Sequence, residues 1–133
     1  LAIREEALAR AEAALAGAGL DQVPPREGVR RAAEVLVPLG MRFRVLLAEG
    51  ADTDPEFVAA RDRALAPLIT LVARAVGEEV VDPEVSPSWT GLVLTSLLVA
   101  AARAAAAGAI DTDEAADLVS RTLFDGLGAA RAT

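Results

Sequence analysis

Apolar positions in this chain recur at helical rather than strand spacing. Leu1, Leu8 and Leu15 lie a heptad apart in an Ala/Glu/Arg-rich stretch that Gly17 and Gly19 close, which predicts a first helix over about Leu1–Ala16. The linker Asp21-Gln22-Val23-Pro24-Pro25 stays non-helical until Pro25, a residue suited to a first helical position. From Pro25 to about Ala48, the residues Val29, Ala33, Leu36, Gly40, Phe43 and Leu47 step by fours and threes and share one face. Pro38 sits inside this stretch. Its missing donor and its clash with the preceding turn predict a kink or break near Pro38–Gly40, leaving two shorter helices.

Glu49–Asp54 reads as a loop. Thr53-Asp54-Pro55-Glu56 then starts a helix, either as a capping box or with Asp54 as cap and Pro55 at the first position. That helix is expected to reach about Val76, with Val58, Arg61, Leu65, Leu68, Val72 and Val76 on one face, Phe57, Ala64, Leu71 and Ala75 beside it, and a bend at Pro67. An acidic connection with Glu78, Glu79, Asp82 and Glu84 follows. Ser86-Pro87 opens a fourth segment running to about Ala107, and from Leu92 onward only Thr95, Ser96 and Arg103 are not apolar. A helix apolar nearly all round should be buried on most sides. Its apolar run is short for a membrane span, is rich in Ala and contains Arg103, so no membrane partner is expected. Gly108 stops it. Ile110-Asp111-Thr112-Asp113-Glu114 starts the last helix, with Asp111 as cap, Glu114 at the third position and Ile110 as a staple. Ala115, Leu118, Val119, Thr122, Leu123, Gly126, Leu127 and Ala130 form its broad apolar face, opposite Asp117, Ser120, Arg121 and Asp125.

No stretch alternates apolar and polar residues over a strand's length with turn signals on both sides. The fold class is therefore all-α: one domain over residues 1–133, an orthogonal or antiparallel bundle of five to six helices. Composition reinforces this reading, because alanine, the best helix former, supplies 31 residues while aromatics are only 3%.

Composition also narrows the chemistry. The chain has no His, Cys, Tyr, Lys or Asn. That removes disulfides, thiol nucleophiles, Cys/His zinc sites, histidine acid–base pairs, Schiff-base lysines and the P-loop lysine. No catalytic residue, metal or cofactor is expected, and the chain does not read as an enzyme. Glu5/Glu6 and Glu78/Glu79 read as solvated carboxylates, and Asp111/Asp113/Glu114 as helix capping. The lack of cysteine fits a cytoplasmic protein. The net charge of −7 falls wholly in residues 51–133, which hold six Arg against thirteen Asp/Glu. Residues 1–50 balance seven of each, and Arg26, Arg30 and Arg31 read as a solvated face. Such a chain repels phosphate, so it should not itself bind nucleic acid.

Two features point to association. The last two helices are more apolar than a monomer of this size needs, and Ala100, Ala101, Ala104, Ala105 and Gly126 permit close helix approach. An internal core helix is the alternative reading of the fourth segment.

The run from Ala101-Ala102-Arg103-Ala104 through Gly108-Ala109-Ile110-Asp111, then Ala115-Ala116 and Leu123-Phe124-Asp125-Gly126-Leu127, resembles the C-terminal end of tetracycline-repressor-type (TetR) regulators. There a long helix ends in Gly-x-Ile-Asp and the last helix ends near Leu-Phe-x-Gly-Leu. The helix order also resembles that family's effector-binding and dimerisation domain. The resemblance implies a homodimer whose four-helix interface uses Leu97, Ala101, Leu118, Thr122, Leu123 and Leu127. It implies a small, mostly apolar effector in a pocket lined by Met41, Phe43, Leu46, Phe57, Arg61, Leu65, Leu68 and Trp89, although each of these residues also reads as ordinary core. Arg61, on an apolar stripe, is either a buried cation awaiting an anion or the partner of Glu49 or Asp62. Thr70, Thr95 and Ser96 are possible polar contacts, unless they only bond their own helices. Nothing before Leu1 matches the family's helix-turn-helix, and Leu1 stands where an initiator Met would, so the chain reads as a fragment or a processed product. DNA would then be contacted only through an N-terminal domain not in this sequence. The alternative function is a free-standing helical small-molecule-binding or scaffold module.

Overall fold

The computed structural model describes residues 2–43 and 54–128. Among them six α-helices follow one another: α1 (Ala2–Gly17), α2 (Pro25–Arg42), α3 (Pro55–Ala64), α4 (Ala66–Gly77), α5 (Pro87–Ala106) and α6 (Thr112–Leu127). A short 3-10 turn, Leu20–Gln22, links α1 to α2. The expected all-α class holds, and the one β-type contact among the described residues is an isolated bridge between Val81 and Gly128. That bridge ties the α4–α5 connection to the end of α6, with Val81 fully buried.

The helix ends follow local chemistry. Asp54 takes the cap-with-proline arrangement: its Oδ1 accepts from the backbone N–H groups of Glu56 at 3.1 Å and Phe57 at 3.4 Å, with Pro55 in the first turn. Ser86 Oγ accepts from Trp89 N at 3.1 Å ahead of Pro87. Gly108 ends α5 with φ 76°, a left-handed conformation that glycine adopts without strain. Asp111 occupies the cap position of α6, but its side chain makes no capping bond, so the expected reciprocal box is not formed.

The two internal prolines behave oppositely to expectation. Pro38 does not divide its helix, since α2 runs on to Arg42. Both Pro38 and Glu34, whose carbonyl it leaves unpaired, face solvent, so water can satisfy that oxygen. Val37 and Gly40 meanwhile stay buried in the core. Pro67 was expected only to bend its helix, yet here the helix breaks. Leu65, at φ −96° and ψ 7°, ends α3 and precedes α4, which takes Pro67 into its first turn where a missing N–H costs nothing.

α2 is the central helix and packs against α1, α4, α5 and α6. Its buried side, Val29, Ala32, Ala33 and Val37, meets Leu68, Leu71, Val72 and Ala75 of α4, Leu94, Leu98 and Ala102 of α5, and Val119, Leu123 and Phe124 of α6. Leu15 and Leu20 close one end of this core. A second, smaller cluster joins Leu8 of α1 to Phe57 and Ala64 of α3. α3 therefore packs mainly on α1, outside the principal core.

The expectation that α5 is buried on most sides is corrected. Within one chain only the stripe Thr90, Leu94, Leu98, Ala101, Ala102 and Ala105 is buried. Trp89 is 56% and Leu92 63% exposed, because α2, α4 and α6 together cover one side of this helix only. At 20 residues α5 is also long and apolar enough, by length and composition alone, to cross a membrane, where the sequence suggested too short a run. About a third of that span, 33%, is buried within the chain, and α5 contributes this inner stripe to the main core.

Candidate functional site

The residues proposed to line a pocket do not converge. Leu68 is buried in the main core, with Met41 and Leu65 packed against it. Thr112 Oγ1 reaches Met41 Sδ at 3.9 Å, which ties the end of α2 to the start of α6. Phe57 belongs instead to the small α1–α3 cluster, beneath the Arg4 guanidinium at 4.3 Å from its ring centre. Arg4 also donates from Nη1 to Asp54 Oδ2 at 3.2 Å, so one arginine clasps both the cap and the ring of α3. Phe43 is buried after α2 between Arg10 at 5.8 Å and Arg42 at 5.1 Å. Trp89 stands on the outer face of α5, neither core anchor nor pocket wall within this chain. Arg61 is half-buried with Nε 4.0 Å from Asp62 Oδ1, a loose approach to one of the two acids expected. Leu46 and Glu49 lie outside the described residues.

The proposed interface residues also separate. Ala101 and Leu123 are 5% and 2% exposed, so they already spend their surface on their own chain's core. Leu97 and Leu118 are half-buried, and Thr122 is exposed. The side chain of Leu127 lies outside the described set. The apolar surface still open on α5 is a different stripe: Trp89, Leu92, Ser96 and Ala100 at steps of three and four, running toward Arg103, with Val93 and Val99 half-buried alongside. Thr95 Oγ1 donates to Gly91 O at 2.9 Å and so serves its own helix.

One cleft among the described residues had no counterpart in the sequence reading. It measures about 380 Å³, opens to solvent, and lies between the end of α1 with its 3-10 turn and the outer side of α4. Leu15, Ala16, Leu20, Ala66, Pro67 and Leu71 give it apolar walls, and Asp21, Thr70 and Arg74 add polar groups. Arg74 donates to Leu20 O at 2.9 Å and Val23 O at 2.7 Å, and its Nε lies 3.5 Å from Glu78 Oε2. It thereby pins the turn onto α4. Gly28 deepens the same junction, since a Cβ there would come within 2.6 Å of Leu71 Cδ1. No periodicity reports this cleft, because its two walls belong to different helices and meet only by tertiary packing. Arg74 beside an apolar stripe was the only local hint.

Ion pairs on α2 account for part of the remaining charge. The expected solvated basic face on α2 is an ion-pair ladder: Arg30 pairs with Glu27 and Glu34 at 2.9 Å each, and Arg31 approaches Glu27 at 3.5 Å. The Arg30 hydrogen bond holds Glu27 below the ordinary glutamate range, against a smaller opposing effect of desolvation. Arg26 instead lies 4.9 Å above the Phe124 ring. No group of three acidic residues among those described could hold a metal ion.

The chain matches no family model, no curated protein and no solved structure.

Proposed function

We propose that this chain is the effector-binding and dimerisation domain of a TetR-like transcriptional regulator, a repressor that senses a small, mostly apolar ligand. The observation that supports it best is the outward stripe of α5. A 20-residue helix that gives one face to its own core leaves Trp89, Leu92, Ser96 and Ala100 to water. An exposed apolar strip with an aromatic anchor and small residues suits another helix packed closely against it. The two-fold partner is a second copy of α5, assisted by Leu97 of the same helix and by Leu118 and Thr122 of α6. The residue pattern from Ala101 to Leu127 supports the family assignment, and the six-helix order is compatible with it. In this reading DNA is held by a segment outside the sequence, and ligand occupancy biases the geometry of the dimer.

Sedimentation equilibrium tests the pairing. The chain should weigh about twice its 13.7 kDa. Leu92→Arg should return the mass to that of one chain while leaving helix content unchanged, because Leu92 contributes little to the intrachain core. Leu123→Ala is the control. It should cost about 2–5 kcal/mol of folding stability through a core cavity, without a selective effect on dimerisation. A wild-type chain that stays monomeric at high concentration rules out the pairing.

A further inference from the structure

We propose that the cleft between α1 and α4 is a binding site for a small amphiphilic monocation, an apolar body carrying one ammonium-type head. This deepens the small-molecule reading above and is independent of how the chain dimerises or whether DNA is involved. The volume, about 380 Å³, is enough to seat a small organic ligand on one side while the other faces solvent, and six of the residues lining it are apolar. The polar groups decide the charge. Arg74, the only cation lining the cleft, already faces an acceptor with each of its three nitrogens: Leu20 O, Val23 O and Glu78. Arg31, the next cation along the turn, donates to Ala18 O and lies against Glu27. Both positive charges are thus balanced, and an incoming anion would have to displace one of these pairs. Asp21 is different. It lies in the 3-10 turn beside the cleft, is exposed to water, and its carboxylate has no hydrogen bond or ion pair among the described residues, so a cation can reach it without displacing a protein partner. Thr70 lines the α4 wall, and a hydroxyl can accept or donate. A water-exposed carboxylate with no protein partner beside apolar walls, on a chain with net charge −7, favours a cationic head on a hydrocarbon body seated in the cleft.

The test uses the full chain and three probes of matched shape: 3-phenylpropylammonium, 3-phenylpropan-1-ol and 3-phenylpropanoate. Methyl NMR titrations should shift the resonances of Leu15, Leu20 and Leu71. The ammonium should bind about two- to five-fold tighter than the alcohol, as an exposed ion pair allows, and the carboxylate weaker than both. Asp21→Asn, which leaves the walls intact, should bring the ammonium down to the affinity of the alcohol. Equal affinity of ammonium and alcohol, tightest binding of the carboxylate, or unmoved methyls at all three leucines each overturn the proposal. If a probe binds but shifts methyls elsewhere, this cleft is refuted while an effector site on the chain stands. If none of the three probes binds, the cleft proposal falls.

Discussion

Gly28→Ala reads out the close approach of α2 to α4. Gly28 lies in the first turns of α2, facing Leu71 of α4. A methyl group there would sit 2.6 Å from Leu71 Cδ1, 3.4 Å from its Cδ2 and 3.5 Å from Leu20 O. Carbon atoms prefer about 3.5–4.0 Å, so the nearest contact is short by about 1 Å. Leu71 is 1% exposed, yet it also lines the cleft, so its Cδ1 can give way toward that space at the cost of its packing and rotamer. Two effects therefore compete. Alanine in place of glycine gains about 1 kcal/mol of helix propensity. Overpacking the core costs about 1–3 kcal/mol. The variant should be neutral to about 2 kcal/mol less stable, a lowering of the melting temperature by up to about 8 °C. The sign should reverse once Leu71 is cut back. Leu71→Ala alone should cost about 2–5 kcal/mol, and adding Gly28→Ala to it should restore about 1 kcal/mol. A double-mutant cycle should thus give a coupling of about 1–3 kcal/mol. Urea unfolding followed by circular dichroism at 222 nm is the assay of choice, since exposed Trp89 makes a poor fluorescence reporter. Equal stabilisation by Gly28→Ala in the wild type and in the Leu71→Ala background would refute the close α2–α4 approach. The proposed cleft, which shares Leu71, would lose its floor as well.

Two further outcomes follow from local features. Glu79 adopts φ 57° just after α4, and a left-handed backbone costs a side-chain-bearing residue about 1–2 kcal/mol, so Glu79→Gly should raise stability by about 1 kcal/mol in the same urea assay; a decrease would contradict that backbone geometry. Glu27, held below its ordinary value of 4.5 chiefly by the Arg30 hydrogen bond, contributes stability that is present above that value and lost as pH falls through the lower folded-state value. Glu27→Gln should therefore be less stable than wild type at pH 7, and the gap should close progressively below pH 4.5. A gap that stays constant or widens on acidification refutes the pairing.

The sequence by itself determined the helices and most of their buried faces. Spacing by threes and fours marked Val29 and Ala33 on α2 and Phe43 just after it, and all three are buried. On the stretch that became α3 and α4 burial falls on the flank as much as on the marked face: Phe57 and Ala64 pack in the small cluster with Leu8, and Leu71 and Ala75 join Leu68 and Val72 in the main core, because α3 meets α1 while α4 meets α2 and α5. Caps such as Asp54 and Ser86 were legible for the same local reason, since a side chain within three residues of the N–H it accepts depends on nothing distant. Tertiary structure decided what depends on neighbours. Pro38 and Pro67 carry the same intrinsic penalty, yet one helix continues and the other breaks. Around Pro38 the core grips Val37 and Gly40 while water reaches the freed carbonyl, whereas Pro67 gains a cost-free place in a new first turn. The side of α5 left open was likewise undetermined, because an all-round apolar helix has no pattern to orient it. Only the packing of α2, α4 and α6 assigns Ala101 inward and Trp89 and Leu92 outward. The cleft is the extreme case, since its walls come from residues about fifty positions apart and it exists only because Arg74 and Gly28 bring the α1–α2 turn down onto α4.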